Sequence, residues 1–174
     1  MKYQQWSIPE LPAGAVDRLT GAGYPYLVSS VLASRGIGDD RQARAYLDCN
    51  APLLDPFLMT DMDKAAGRVG LAMSRGEKIA VFGDYDVDGC TAVALVYKFL
   101  RQIGHKNLMF YIPDRYTEGY GISVKGIDLA ARKGVGLIIA LDCGIKATEK
   151  VVYAKTKGVD FIICDHHLPA EEIP

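Results

Sequence analysis

The rhythm of hydrophobic and polar positions changes near residue 76. Before that point the pattern predicts short helices separated by Gly and Pro, such as YLVSSVLASRG, which has helical spacing and a glycine stop. The segment DDRQARAYLDC opens with an Asp typical of an N-cap and keeps Ala43, Tyr46 and Leu47 on one helical face. TDMDKAAGRVGLAMSRG begins with Thr60 and Asp63 at capping-box spacing. These patterns predict a small helical region over residues 1–76.

From Lys78 onward, apolar runs typical of buried strands alternate with helical segments. The predicted strands are KIAVFGD, NLMFYIPD, VGLIIALDCG and VDFIICDHH. The predicted helices between them are CTAVALVYKFLRQIG, SVKGIDLAARKG and ATEKVVYAKTKG. Near-continuous apolar strands separated by helices are typical of a parallel sheet that is covered on both faces. Residues 77–174 are therefore predicted to form an α/β domain, an open parallel sheet with helices on both faces.

Composition narrows the functional classes. Of the 174 residues, 49% are hydrophobic and 24% charged, and the formal net charge is -1, so any contact with nucleic acid must be local or assisted by a metal. The sequence contains no apolar run of about 20 residues, the length of a membrane span, and MKYQQWSIPEL does not resemble a signal peptide. The four cysteines form no C-x-x-C pair, which is typical of reduced thiols. We expect a cytoplasmic protein with no membrane partner.

Acidic residues or histidines follow every predicted strand. In open α/β sheets the ligand binds beyond the carboxyl ends of the strands. The residues at these ends are Asp84, Asp86, Asp88, Asp114, Asp142, Asp165, His166 and His167. Turn and N-cap roles explain Asp114 and Asp88, but they do not explain Asp84 together with Asp86, or the paired histidines. Because unpaired carboxylates are costly to bury, this pattern indicates a bound cation.

The residue types favour a particular class of metal. Carboxylates with one or two imidazoles suit Mn²⁺ or Mg²⁺ better than a structural zinc. In an extended segment Asp84 and Asp86 face the same side, whereas His166 and His167 face opposite sides, so the second imidazole would serve another ion or a phosphate. This pattern favours a two-metal cluster. The stretch DYDVDG resembles the start of an EF-hand loop, but the required Glu position falls on Leu95 and a strand precedes the loop, so that interpretation is rejected.

The stretch RYTEGYG supplies candidate substrate contacts. A glycine-rich turn leading to Ser123 as a helix cap explains part of it. Gly119 and Gly121 also allow the backbone to approach a ligand closely, and the guanidinium of Arg115 matches a phosphate. Arg115, Tyr120 and Gly121 are therefore the candidate substrate-binding residues.

Three of these motifs, GDYDVDG, LDCG and CDHH, resemble in this order the DHH phosphoesterase superfamily, whose catalytic domain is Rossmann-like. The stretches LLDPFLMTDMDKAAGRV, VFGDYDVDGCTAVALV and IPDRYTEGYGIS resemble its branch of single-strand-specific 5′→3′ DNA exonucleases, from about Val28 onward. The resemblance implies two Mn²⁺ or Mg²⁺ ions that activate water against a phosphodiester of single-stranded DNA. It also implies a role in DNA repair and recombination, with a single-strand-binding protein or a helicase as partner.

The resemblance also implies roles for individual residues. Asp84, Asp86, Asp142, His166 and, as a further candidate, His167 would bind metal. Asp88 and Asp165 would support these ligands, with Asp165 orienting a histidine. Family members continue further, with another metal-binding Asp and a second domain that carries a glycine-rich substrate motif. We therefore expect this chain to be an N-terminal portion whose DHH domain, residues 77–174, is incomplete at its C-terminus, and to be nearly inactive alone.

Two alternatives remain. A DHH phosphoesterase could act on short oligonucleotides, cyclic dinucleotides or pyrophosphate, although LLDPFLMTDMDKA resembles the exonuclease branch. A non-catalytic binding module could keep the fold without the chemistry. The presence of Asp84, Asp86, Asp142 and His166 argues against that second alternative for the parent protein.

Overall fold

The computed structural model describes residues 10–48 and 52–174, so the opening residues MKYQQWSIP and Cys49 lie outside the described parts. The chain divides into two compact units, Met1–Asp55 and Pro56–Pro174. Within the described residues, none of the helices combines the length and the apolar character needed to cross a membrane.

Residues 10–48 of the first unit form three short helices. They are α1 (Ala15–Gly21), α2 (Tyr26–Ser34) and α3 (Asp40–Leu47). Leu19, Leu32 and Ala43, one from each helix, form a small buried core, against which Tyr24 and Ile37 pack. The helical character predicted for this region is confirmed, although α1 was not recognised as a separate helix.

Helix α3 begins as the sequence predicts. The Asp39 carboxylate accepts a hydrogen bond from the Gln42 N–H at 2.8 Å, which is the N-cap interaction. Of the three residues predicted to share its apolar face, Ala43 is buried, whereas Tyr46 and Leu47 are 58% and 47% exposed. The apolar face of α3 is therefore narrower than predicted, because only its middle turn reaches the core.

The second unit is built on a parallel sheet. A 3₁₀ turn (Pro56–Leu58) comes before α4 (Met62–Ser74). The strands and helices that follow are β1 (Lys78–Gly83), α5 (Val87–Gln102), β2 (Leu108–Tyr111), α6 (Val124–Arg132), β3 (Val135–Leu141), α7 (Thr148–Thr156) and β4 (Asp160–Cys164). The four strands are parallel and lie in the order β2-β1-β3-β4. The predicted parallel sheet is confirmed.

Alternate residues of each strand pack on opposite faces of this sheet. One buried cluster contains Ala80, Phe82, Ile138 and Ala140 of the strands with Ile127, Ala130 and Ala154 of α6 and α7. The other contains Ile79, Val81, Leu137 and Ile139 with Ala72, Val93 and Leu100 of α4 and α5. Because both faces are buried, the strands read as continuous apolar runs in the sequence. The prediction of helices on both faces is confirmed.

Helix α4 packs within the second unit. The Arg68 guanidinium donates to Glu77 Oε2 and to Asp160 Oδ2, each at 2.7 Å, and so joins α4 to the starts of β1 and β4. The boundary predicted at residues 76–77 separates α4 from these strands, whereas the compact unit begins at Pro56. Helical spacing alone does not show which core a helix packs against.

The predicted capping box at the start of α4 is wrong. The helix begins at Met62, and its N-cap is Asp61, which has a left-handed backbone (φ 59°) and makes no side-chain cap hydrogen bond. The helix therefore starts one residue later than predicted. Asp63 lies in its first turn, where the negative charge interacts favourably with the helix dipole.

Two glycines bring α5 very close to the end of β1. A Cβ atom at Gly89 would lie 2.5 Å from the Asp84 carbonyl oxygen, and one at Gly83 would lie 2.4 Å from Val93 Cγ2. Both separations are far inside van der Waals contact. The first turn of α5 therefore packs directly on the loop that carries Asp84 and Asp86.

We expect Gly89→Ala to destabilise the chain by about 1–3 kcal/mol, because the new methyl group meets backbone that cannot move aside. Gly67→Ala is the matched control, since Gly67 also lies in a helix but a Cβ there would have nothing within 4 Å. It should stabilise the chain by roughly 0.5–1 kcal/mol. Denaturant unfolding of both variants measures the difference, and equal free energies of unfolding would contradict the close packing.

Candidate metal centre

The predicted motifs meet where the strand order of the sheet reverses. From β1 the chain crosses to β2 on one side, and β3 then pairs with β1 on the other side. Gly83 is in register with Leu141, and Leu141 is in register with Cys164. Asp84, Asp142 and Asp165, each one residue further, therefore leave three adjacent strands at the same edge. In open α/β sheets this switch point is the usual ligand crevice.

Three side chains at this edge form a compact group of potential metal ligands. Asp142, His166 and His167 each offer one ligand atom within 4.8 Å of the others. Nε2 of His166 lies 3.1 Å from Asp142 Oδ1. The Asp142 backbone is left-handed (φ 59°), a conformation that Asp tolerates better than most residues, and its N–H donates to the Cys164 carbonyl at 2.8 Å. Asp142 thus follows the last residue of β3 and stays hydrogen-bonded to the last residue of β4.

The two histidines do not diverge as the sequence predicts. Strand β4 ends at Cys164, and the Asp165 carboxylate accepts hydrogen bonds from both the backbone N–H and Nδ1 of His167, at 3.1 and 2.7 Å. The imidazole centroids of His166 and His167 lie 4.7 Å apart, with the rings tilted by 39°. The prediction assumed that the alternation of an extended strand continues past Cys164, and it is wrong because the strand has already ended.

Asp165 holds one imidazole in place. Its side chain is 2% exposed, and its Oδ2 accepts from the Ile145 N–H at 3.0 Å. Burial alone would raise the pKa of Asp165, but hydrogen bonds from Ile145 and His167 outweigh it and lower that pKa. The same contact with Asp165 raises the pKa of His167. With Nδ1 bound to a carboxylate, a cation would bind Nε2 and would replace the contact of that nitrogen with the Tyr120 hydroxyl at 3.2 Å; a carboxylate on Nδ1 is common around metal-binding histidines.

The acids after β1 have distinct environments. Asp84 is 2% exposed, and within the described residues its Oδ1 has no hydrogen-bond partner. The exposed Asp86 accepts from the Gly89 N–H at 2.9 Å as the N-cap of α5, a role that the sequence suggested for Asp88. Neither Asp84 nor Asp86 belongs to the group within 4.8 Å. Burial, and then the charge of Asp86, raise the pKa of Asp142, so the charge of Asp86 acts on Asp142 although the two are not in the same group.

This set of donors fits a hard or borderline divalent cation. Carboxylate oxygens and imidazole nitrogens are the ligands that Mn²⁺ accepts, and Mg²⁺ prefers the oxygens. Asp84 has a buried carboxylate oxygen with no hydrogen-bond partner in the described parts of the chain, and such an oxygen is costly unless a cation neutralises it. The ligand roles of the individual residues remain predictions.

The loop between β2 and α6 is organised by a residue that the sequence reading missed. The Glu118 side chain is 4% exposed and accepts hydrogen bonds from Tyr111 Oη and Ser123 Oγ, each at 2.6 Å, and from the Asp114 N–H at 3.0 Å. Burial would raise the pKa of Glu118, but these donors hold it at about 2. Burial and Glu118 raise the pKa of Tyr111 to about 12. The sequence signal that could have identified Glu118 is an acid five residues before a Ser N-cap.

Two interpretations of this loop are confirmed. The Asp114 carboxylate accepts from the N–H groups of Tyr116 and Thr117, at 3.0 and 2.8 Å, and so closes a turn. Ser123 Oγ accepts from the Gly126 N–H at 2.9 Å as the N-cap of α6. Asp114 is therefore a turn residue, as expected.

The predicted substrate residues lie beside the cluster. Tyr120 Oη is 3.2 Å from His167 Nε2, and the ring of Tyr120 also packs edge-on against Tyr85. The Arg115 guanidinium lies over the Tyr85 ring, 5.1 Å from its centroid. Gly121 has φ 74° and lines a cavity next to Tyr120. The contacts that sequence reasoning missed here involve Tyr85, which lies between the two motif acids Asp84 and Asp86.

Two adjoining cavities open beside the cluster. The smaller, about 210 Å³, is lined by Asp165 and His167 and by residues that include Tyr120 and Lys146. The larger, about 320 Å³, shares Tyr120 and Lys146 and extends to Lys150. The lining of these cavities thus includes two lysines, Lys146 and Lys150, together with the acidic Glu149.

Residues 78–174 match the DHH family, N-terminal domain. The chain belongs to the DHH family. The matched region begins at the first residue of β1 and includes the three strand-end motifs. The family resemblance seen in the sequence is thereby confirmed.

Curated relatives and solved structures point to one branch of the DHH family. The chain is 41% identical over 149 residues to the single-stranded-DNA-specific exonuclease RecJ of Bacillus subtilis (strain 168), covering 85% of the chain and 19% of that protein. It is 33% identical over 153 residues to RecJ of Escherichia coli (strain K12), covering 88% of the chain and 26% of that protein. The chain thus spans about a fifth to a quarter of the length of these relatives.

Solved structures agree with this assignment. A crystal structure of exonuclease RecJ bound to manganese has 31% identity and a TM-score of 0.64, covering 71% of this chain and 31% of that one. RecJ in complex with Mn²⁺ from Thermus thermophilus has 25% identity and a TM-score of 0.65, covering 97% and 23%. Both proteins bind manganese, a cation of the class that the donor set favours.

We expect Asp142→Asn to raise the melting temperature of the metal-free chain at pH 7. Because the pKa of Asp142 is raised, its ionisation costs stability, and this cost appears as the pH rises through the pKa of an unfolded aspartate, about 4, and then that of the folded chain. The variant and the wild type should therefore have similar melting temperatures below that range. Thermal melts from pH 3 to 8, in the presence of a chelator, measure the difference.

Asp61→Asn is the matched control, since Asp61 has the same φ of 59° but pairs with Lys64 at 2.6 Å. The melting temperature of the Asp61→Asn variant should not exceed that of the wild type at pH 7. A lower melting temperature for Asp142→Asn than for the wild type at pH 7 would assign Asp142 a structural role.

Proposed function

We propose that the protein carrying this chain is a metal-dependent exonuclease that hydrolyses phosphodiester bonds of single-stranded DNA from the 5′ end. The observation that carries the proposal is the cluster of Asp142, His166 and His167 at the switch point, beside the buried carboxylate of Asp84. Relatives that share these segments are named single-stranded-DNA-specific exonucleases.

The metal would be Mn²⁺ or Mg²⁺, with two ions in the complete protein. The residues that would hold it are Asp84, Asp86, Asp142, His166 and His167. Asp84 Oδ1, which is buried and has no hydrogen-bond partner among the residues that the structure describes, supports this set. Divalent ions supply a polarised phosphate oxygen and a bound water of lowered pKa. The chain's own contribution is to fix the ligands, above all through the contact between Asp165 and His167.

Substrate contacts would come from the loop that precedes α6. Tyr120 and Gly121 line the cavity beside the cluster, and Arg115 offers a fork of N–H donors that matches a phosphate. Aromatic rings are common stacking partners of unpaired bases, which supports a single-stranded substrate next to Tyr85 and Tyr120. Local contacts of this kind are needed because the net charge of -1 provides no general attraction for DNA.

The cellular setting follows from the activity. An enzyme of this class would act in DNA repair and recombination, in the cytoplasm. A single-strand-binding protein or a helicase would supply its substrate. The names of the relatives support the activity, and the setting is inferred from it.

We expect Mn²⁺ binding to depend on the cluster. Asp165→Asn should weaken the binding of Mn²⁺ by roughly 10- to 100-fold, because the His167 ring loses the partner that orients it. Asp142→Asn, which removes a proposed ligand, should weaken it at least as much. Isothermal titration calorimetry with Mn²⁺, and separately with Mg²⁺, measures both effects.

Asp114→Asn serves as the control for metal binding, since Asp114 also follows a strand but is occupied by its turn. Its affinity for Mn²⁺ should match the wild type. Equal weakening by Asp114→Asn and Asp142→Asn would indicate non-specific attraction of the cation to acidic residues.

The nuclease proposal is tested with a labelled single strand and the matching blunt duplex. In Mn²⁺ the protein carrying this chain should shorten the single strand from its 5′ end and leave the duplex intact. Bacillus subtilis RecJ is the positive control, and Asp142→Asn should abolish the activity. Equal rates on both DNA forms, or hydrolysis of dinucleotides without attack on longer strands, would contradict the proposal.

A further inference from the structure

Glu118 has no role in the proposed chemistry, yet its carboxylate accepts hydrogen bonds from four donors. Its side chain is 4% exposed, and its two oxygens accept from Tyr111 Oη, Ser123 Oγ, the Asp114 N–H and, at 3.4 Å, Lys125 Nζ. Tyr111 is the last residue of β2, and Ser123 is the N-cap of α6. One carboxylate thus joins both ends of the loop that spans residues 112–123.

This loop carries Tyr120 to the cluster of Asp142, His166 and His167. Tyr120 lies between Gly119 and Gly121, whose φ angles of 77° and 74° are left-handed, so the backbone bends on both sides of it. Its hydroxyl lies 3.2 Å from His167 Nε2 and 3.5 Å from the Asp142 carbonyl oxygen. Tyr120 is 54% exposed and has ring contacts with Tyr85 and His167, so its position also depends on the path of the loop that carries it.

We propose that Glu118 is a positioning residue that sets Tyr120 against His167, at the boundary between the two cavities. The loop has two glycines in left-handed conformations, which gives it many alternative paths in the absence of an anchor. Glu118 lies two residues before Tyr120 and is tied to secondary structure on both sides. Its effect on hydrolysis rests on the proposed function, whereas its effect on Tyr120 does not.

The positioning role of Glu118 requires that its carboxylate is ionised. A buried carboxylate accepts all of these donors only when it carries no proton of its own. Its pKa of about 2 keeps it ionised across the physiological range. Replacement by Gln keeps the shape but exchanges one accepting oxygen for an NH2 group, so either Tyr111 and Ser123 on Oε2 or the Asp114 N–H and Lys125 on Oε1 lose their acceptor.

The direct test is NMR spectroscopy of the His167 and Tyr120 rings in the metal-free 174-residue chain. Tyr120→Phe first defines the ring signals of His167 without the hydroxyl contact. In Glu118→Gln the His167 signals should move toward those of Tyr120→Phe, and the Tyr120 ring signals should move with them. Unchanged His167 and Tyr120 rings in a folded Glu118→Gln chain would overturn the proposal.

Glu77→Gln is the matched control. Glu77 is an acid whose side chain is 21% exposed, with a short hydrogen bond at 2.7 Å from Arg68, but it lies at the amino end of β1, away from the cluster. It should leave the His167 and Tyr120 signals unchanged, and equal shifts in both variants would indicate a general loss of structure. If Glu118→Gln does not fold, Tyr111→Phe removes one donor and keeps the carboxylate. It should move the same signals less, and no movement would overturn the proposal.

A kinetic measurement separates this inference from the proposed function. In the protein carrying this chain, Glu118→Gln should lower kcat for single-stranded DNA by roughly 10- to 100-fold, as misplaced groups commonly do, with a smaller change in KM. Shifted NMR signals in a chain whose parent protein shows no nuclease activity would sustain the positioning role and overturn the function. Full activity of Glu118→Gln with shifted signals would overturn the catalytic consequence of the positioning.

Discussion

Repulsion between carboxylates is the constraint around which the second unit is organised. The parallel sheet brings Asp84, Asp142 and Asp165 to one edge, and the burial of like charges there opposes folding. Different hydrogen-bond partners in the fold reduce this cost for most of the carboxylates at this edge. Asp165 is matched by N–H donors, Asp86 by the first turn of α5, and Asp142 by a histidine, whereas Asp84 keeps one oxygen without a partner among the described residues. The unmatched charge that remains is what a divalent cation would neutralise.

The sheet and the place of the site were predictable because both follow from local pattern. Apolar runs of strand length, with helices between them, specify a doubly covered parallel sheet, and the ends of those runs mark the ligand edge. The three strand-end motifs could therefore be assigned to one place before any coordinates. Family resemblance then supplied the expected ligands, which spacing alone leaves undecided.

The features that were predicted wrongly or missed depend on details that the periodicity of strands and helices does not determine. The orientation of His166 and His167 follows from a turn built by Asp165, and alternation along a strand gives the opposite answer. Helical spacing could not show what α4 packs against, because that packing depends on Arg68, which contacts residues up to 92 positions away in the sequence. Glu118 was missed because its partners become neighbours only when the loop between β2 and α6 closes.

The left-handed backbone of Asp142 restricts how this site can evolve. Among residues that adopt a φ of 59° without strain, Asn and Gly are the main alternatives to Asp. A lineage that abandons the chemistry while keeping the fold is therefore expected to drift toward Asn or Gly at this position. Asn or Gly there would mark a DHH domain that has become a binding protein, and a β-branched residue would mark one whose strand end has been rebuilt.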